Sequence, residues 1–401
     1  MSLTRGLASF ACVASVLFGG VARADQGAFQ LTRPTLGDPR PVAPVDGLRI
    51  ESIDTAMTAY QQMGYGYQSK AGPTLTSPGS ERLTVFEPQV VIVARSSARV
   101  THRFWVPIDI VTAASPNAND KGRPPDMLSN ASRQNESVSF DWTTTYEAPR
   151  AYSGFVHNAV HLEENFRSWS TGLGGTLSFA DDNATIAANA NQIFDWFQRY
   201  DAIGHKIGRN SRSTTNGNVG LTQIVTPWTV VHANYGLSAQ YGQMSNTWNT
   251  VVFATGERDL ERMPSNRTRH AVVARFSQWL PWNGVVKGFY RFYADSWGLD
   301  AHAMEAQLLQ RIVPYVYLRG EYRYYTQTGV DFFTVIQHRG TTRYTSDSDL
   351  ARFDAQTAGL RIVADLPGIL QGLHLDAGFE RYWRTDGLHV NMALWQAGAK
   401  F

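Results

Sequence analysis

The sequence predicts an all-β fold, a closed antiparallel transmembrane β-barrel of about sixteen strands, with fourteen as the competing count. Three observations lead there. Segments of about ten residues alternate apolar and polar positions, as strands with lipid on one face and water on the other must. The connections between them sort into short and long on alternate sides. Past the first 24 residues no run of about 18 apolar residues occurs, so no helix can cross a bilayer and any spanning structure is a closed barrel.

Residues 1–24 carry basic Arg5, an apolar stretch from Leu7 to Phe18, and Ala22-Arg23-Ala24 as a small-x-small cleavage site before Asp25, the pattern of a secretory signal peptide. Cys12, the one cysteine, sits inside it. The exported chain then has no disulfide, thiolate metal site or thiol nucleophile. Losing Arg5 and Arg23 leaves 34 basic against 34 acidic residues, a balance that argues against a nucleic-acid partner. Residues 25–48, rich in Pro and Gly, read as an unpaired periplasmic leader, and 49–401 as the barrel.

Strands are expected near 52–63, 82–95, 98–111, 132–147, 151–164, 168–180, 184–199, 212–225, 228–241, 266–280, 285–297, 299–313, 315–328, 351–364, 371–384 and 388–401. The clearest alternation sets Val138, Phe140, Trp142, Thr144 and Tyr146 against Ser137, Ser139, Asp141, Thr143, Thr145 and Glu147. His102 and Arg381 interrupt the apolar faces of their strands. Fourteen strands would follow if 52–63 and a weak segment near 210–225 were not in the wall. Links at Ser96-Ser97, Pro149-Arg150, Asp181 to Asn183, Pro227, Pro281 to Gly284 and Pro314 are tight, with Asp365 to Leu370 somewhat longer. Gly64 to Glu81, Thr112 to Ala131, Tyr200 to Ser211, Gly242 to Ser265 and Gly329 to Leu350 are long and polar. Tight periplasmic turns with both termini on that side, and long extracellular loops, are the membrane-barrel pattern, which a soluble sandwich has no reason to follow. The last strand puts Trp395, Ala397, Ala399 and Phe401 on one face, and Phe401 reads as the terminal signal for the barrel-assembly machinery. Lipid and lipopolysaccharide of the outer membrane are the surroundings such a barrel requires.

Placing apolar positions toward lipid turns Arg267, Arg269, Arg275, Lys287, Arg291, Asp295, Glu305, Gln307, Arg311, Arg319, Glu321 and Arg323 inward, because a lipid-facing charge at mid-bilayer costs about 2 to 4 kcal/mol. With tight hairpins, Arg291 and Arg323 both fall opposite Glu305, and Glu321 neighbours Gln307 and Arg319. Two readings stay open: a structural ion-pair ladder that shapes or plugs the lumen, or a charged constriction selecting anionic or zwitterionic solutes. Trp279, Trp282, Tyr290, Phe292, Tyr322, Tyr324, Trp383 and Trp395 read as interfacial girdles. Ten scattered histidines, with no HExxH or GxSxG, give no catalytic constellation. His157 and His161 near Glu163 read as lumen residues, and neither Asn117 to Asp126 nor Asp347-Ser348-Asp349 has calcium-loop spacing. No catalytic residue, metal or cofactor is expected.

Glu261 to Arg267, Tyr290 to Gly298, Tyr322 to Gln327 and Tyr344 to Leu350, with Ala113 to Asn117, resemble the bacterial family numbered 3570 among domains of unknown function. That resemblance implies an outer-membrane barrel encoded near small lipoproteins, thioredoxin-like proteins and flavin transferases, and supplies no substrate. The first third departs most from the family, with no acidic cluster in its early strands. The function expected is a channel or solute-selective porin. The alternative is a lumen-plugged barrel anchoring a periplasmic lipoprotein or thioredoxin-like partner.

Overall fold

The computed structural model describes residues 47–64, 83–111, 135–149, 151–201, 205–245, 250–255, 257–337, 340–366 and 372–401. The signal segment with Ala22 and Ala24, the leader through residue 46, and most of the two early long connections lie outside the described residues. Strands in chain order are β1 (Arg49–Met63), β2 (Leu83–Ser97), β3 (Val100–Val111), β4 (Asn135–Glu147), β5 (Tyr152–Glu163), β6 (Phe166–Phe179), β7 (Ala184–Tyr200), β8 (Lys206–Thr226), β9 (Thr229–Gly242), β10 (Thr250–Phe253), β11 (Arg258–Leu260), β12 (Asn266–Leu280), β13 (Gly284–Asp295), β14 (Asp300–Val313), β15 (Val316–Gln327), β16 (Ile336–Gln337), β17 (Phe353–Leu366), β18 (Leu373–Arg384) and β19 (His389–Lys400).

All but β10, β11 and β16 form one closed antiparallel barrel of sixteen strands, each paired with its chain neighbour. β1 closes it against β19, from Ser52 opposite Lys400 to Met63 opposite His389. Both doubtful segments are in the wall, so the count of fourteen is excluded. Closure leaves the barrel sheet itself without an edge strand, so its backbone donors and acceptors pair along the ring as a spanning sheet requires.

Alternation along each strand follows the sidedness read from sequence. Leu173, Leu360 and Ile362 are 65%, 54% and 52% exposed on the outside, whereas Thr357, three residues before Leu360 on the inner face of β17, is 5% exposed. Outward aromatics form two levels: Tyr152, Phe179, Trp228, Trp282 and Tyr315 at the short-turn end, and Tyr290, Phe292, Tyr322 and Tyr324 above them. Trp282 and Phe292 are ten residues apart. At about 3.3 Å per residue and a tilt of roughly 40° this spans about 25 Å, the height of an apolar membrane band. Polar groups on the outer face are satisfied across strands: Tyr235 Oη lies 2.7 Å from His270 Nδ1, Tyr290 Oη 2.8 Å from His302 Nδ1, and Tyr322 Oη donates to Gln356 at 2.6 Å. His102 likewise meets Ser96 at 2.8 Å and Thr144 at 3.0 Å.

Three connections differ from the sequence expectation. Tyr200 to Ser211 is no long loop, because β8 begins at Lys206, and a register shift at Arg199/Tyr200 with Gly208 at φ +131° lets the β7–β8 hairpin continue past the expected rim. Gly242 to Ser265 and Gly329 to Leu350 are not plain loops either. β10 pairs antiparallel with β11 and parallel with β16, so the two connections share a small three-stranded sheet.

The principal apolar core lies inside the barrel at the long-loop end. Tyr60, Val85, Tyr293, Tyr325, Phe353, Tyr382 and Val390 from the wall pack with Val330 and Leu350 from the β15–β17 connection, and Met244, Met263, Phe332 and Phe333 pack against them. A short 3-10 turn at Ser348–Leu350, capped by the Asp347 side chain, seats this connection on the wall.

Candidate functional site

The inner faces of β12 to β15 carry the eight basic and three acidic residues that parity assigned there. They form distinct pairs rather than one continuous ladder. Arg267 donates from Nε to Asp295 at 2.8 Å and lies 4.2 Å over the Trp297 ring; Tyr293 Oη also donates to Asp295 at 2.7 Å. Arg269 is in register with Asp295. Arg323 donates from Nε to Glu305 at 2.6 Å, and Gln307 donates to the same carboxylate at 2.5 Å. Arg319 holds Glu321 through Nε at 3.1 Å and Nη2 at 2.5 Å. Lys287 is in register with Gln307, and Arg275 lies 5.4 Å from the Phe289 ring centre. Arg311 sits at the short-turn rim, donating to Tyr317 Oη at 3.0 Å.

Arg291 departs from the expected register. It lies opposite Ala303, and Phe289 takes the place opposite Glu305. The cause is the β13–β14 turn: Asp295 Oδ1 accepts from the backbone N–H of Trp297 at 2.8 Å and Leu299 at 3.3 Å, and Gly298 takes φ +80°. The hairpin therefore centres on Trp297, the middle of Ser296 to Gly298, whereas Arg291 opposite Glu305 would need a centre at Gly298, so the expected pairing is displaced by two. Arg291 is 6% exposed, 5.5 Å from the Tyr293 ring centre, and makes no ion pair to a carboxylate among the described residues.

β17 and β18 extend the charged wall beyond the expected set. Arg361 reaches Asp376 at 3.2 Å and Glu380 at 3.6 Å. Glu380 and Glu321 meet over Gly359, where an added Cβ would come within 2.8 Å of one side chain and 2.9 Å of the other. Glycine is required there to let two carboxyl groups from strands on either side approach. Alternation already puts Asp376, Glu380 and Arg384 on the polar face of β18, although the expected charged set stopped at β15.

A second charged set lies on the inner faces of β2 to β5, Glu87, Asp109, Asp141, Glu147 and Glu163 against Arg95 and Arg103; alternation had already turned Asp141 and Glu147 to the polar face, but Glu87 and Arg95 were not singled out and the group was not read as one site. The early strands hold no acidic run in sequence, yet antiparallel pairing gathers these dispersed acids into one arc. Ser137 donates to Asp109 at 2.7 Å, and Asp141 lies 2.9 Å from His157 Nε2. Ser139 Oγ is 2.7 Å from His161 Nδ1, whose other nitrogen is 3.8 Å from Glu163. That last distance is too long for a hydrogen bond. Hydroxyl–imidazole contacts of the same kind recur at Thr222–His232 and Ser96–His102, so this is cross-strand pairing rather than an activated nucleophile. No group of three metal-ligating side chains is present among the described residues.

The four segments Glu261 to Arg267, Tyr290 to Gly298, Tyr322 to Gln327 and Tyr344 to Leu350 converge above the charged wall. Thr345 donates to Glu261 at 2.8 Å with both residues buried. Gln327 donates to the Asp349 carbonyl at 2.9 Å and accepts from Tyr325 Oη at 2.6 Å. Arg384 binds Asp349 at 2.6 Å and the Ser348 carbonyl at 3.0 Å, with its guanidinium 3.9 Å over Phe353. Enclosure by packed chain, followed by the charge of Asp349, pushes the Asp347 carboxyl up to about 7, and burial also raises Asp349.

A family model described as "Protein of unknown function (DUF3570)" matches residues 172–397. No curated protein matches the sequence. Among solved structures, a BenF-like porin from Pseudomonas fluorescens Pf-5 has 9% identity and a TM-score of 0.46, with 88% of this chain and 99% of that chain covered. The outer membrane protein opdK from Pseudomonas aeruginosa has 8% identity and a TM-score of 0.42, covering 87% and 99%. OccD3 (OpdP) from the same species has 7% identity and a TM-score of 0.44, covering 90% and 93%. Likeness at this level carries no argument about solute or activity.

Proposed function

This chain belongs to the family described as "Protein of unknown function (DUF3570)", and from that premise we propose that it is an outer-membrane channel selective for small charged solutes. The observation that carries the reading is the pairing of an apolar, twice-girdled exterior with an inner wall on β12 to β15 that holds eight basic side chains against three acids. Guanidiniums are the natural choice for such a filter, since their planar fork binds carboxylate or phosphate bidentately. In this reading the short turns and termini face the periplasm, the long connections face outward, and Phe401 ends the strand that the assembly machinery reads.

The test is conductance of the purified barrel in a planar bilayer. Discrete openings with a reversal potential favouring anions, shifted toward cations in Arg291→Ala, support the filter. A second reading has one observation in its favour: the packed core inside the barrel, with Val330 and Leu350 of the β15–β17 connection seated in it. A lumen closed this way would serve as an anchor for a periplasmic lipoprotein or thioredoxin-like partner, and a folded barrel that never conducts supports it.

A further inference from the structure

The ring order places β2, β3, β4 and β5 eight positions from β12, β13, β14 and β15, so the acidic arc and the basic arc face each other across the full diameter of the barrel. Neither arc is internally neutral. Of the charges between them, Asp195 is paired with Arg212 at 2.6 Å and Asp376 with Arg361 at 3.2 Å. The lumen therefore holds a transverse field running from β13 toward β3, perpendicular to the barrel axis. In a water-filled space with low-dielectric walls such a field is focused rather than dissipated.

A field of this direction does little for a neutral solute. A purely anionic solute gains on one wall and is repelled by the other. A molecule with separated positive and negative ends gains at both. Resting on the channel reading above, we propose that the solute class is zwitterionic, an amino acid or short peptide, aligned across the lumen with its carboxylate toward Arg291 and Lys287 and its ammonium toward Asp109 and Asp141.

The experiment is solute entry into proteoliposomes, comparing γ-aminobutyrate (an extended zwitterion), butyrate and uncharged erythritol. At ~10 mM salt the Debye length is about 30 Å, and γ-aminobutyrate should enter on the order of tenfold faster than erythritol; at ~1 M it is about 3 Å, and the preference should vanish. The quadruple variant Asp109→Asn, Asp141→Asn, Arg275→Gln, Lys287→Gln removes two charges of each sign, so it weakens the field without changing net charge, and should lower the preference several-fold. Erythritol entry reports whether the variant still forms a channel, and the salt series on the unaltered protein decides the matter if it does not. Equal entry of γ-aminobutyrate and erythritol at low salt, a preference for butyrate over both, or a preference indifferent to salt overturns the proposal while leaving the channel standing. Entry of no solute at all overturns the channel reading and this proposal with it.

Discussion

At the scale of single residues, the inner wall is a set of specific partnerships whose members differ in cost. Arg323 and Glu305 are both largely withdrawn from water, with side chains 13% and 8% exposed. Breaking such a pair from one side strands the other charge. Arg323→Ala should therefore cost about 3 to 5 kcal/mol of barrel stability, and Arg323→Met with Glu305→Leu should recover most of it. Urea titration of the heat-modifiable gel shift measures both, and equal losses in the single and double variants would refute the pairing. Parity made these side chains legible: once Tyr322 and Tyr324 face lipid, Arg323 must face in. Register at Arg291 was misplaced by two because the expected pairing with Glu305 centres the hairpin on Gly298, whereas it turns about Trp297, whose backbone N–H the Asp295 carboxylate accepts.

Elements add the interplay between strand and connection. Leu360 lies mid-strand on the lipid face of β17, and Leu360→Arg should cost about 2 to 4 kcal/mol, whereas the same change two residues from a rim should cost much less. Folding yield into bilayers of fixed thickness distinguishes the two positions. The Asp347–Leu350 turn responds to pH. Asp347 holds its proton up to about 7 when seated, but only to ~4 when the segment is released. The seated form thus binds the extra proton between those values. Its stabilisation is complete below ~4, declines as pH rises, and is gone above about 7. Amide exchange across residues 344–351 should be slower at pH 5 than at pH 8, and Asp347→Asn should flatten the difference. Slower exchange at pH 8 would contradict this sign. Strand positions were legible from alternation, since period two repeats over ten residues. The three short strands of the connections, at two to four residues each, carry no such period, and they form because two connections distant in sequence meet.

For the whole molecule, closure was readable in advance because sixteen segments with sorted connections leave no other arrangement. The acidic arc was not. Glu87, Asp109, Asp141 and Glu163 are separated by more than twenty residues each, and only the ring order makes them neighbours and sets them opposite β12 to β15. Everything proposed for the lumen presupposes that hydrocarbon bathes the outside of this ring. Cys12 is the one cysteine of the sequence, so with Cys12→Ser single cysteines placed elsewhere can be spin-labelled without background. The most direct test is a scan of β7 in lipid bilayers. Labels at Ile186, Ala188 and Ala190 should be relaxed by oxygen and shielded from a water-soluble nickel chelate. Those at Ala187, Asn189 and Asn191 should show the reverse. A nickel chelate that reaches both sets equally would contradict the account.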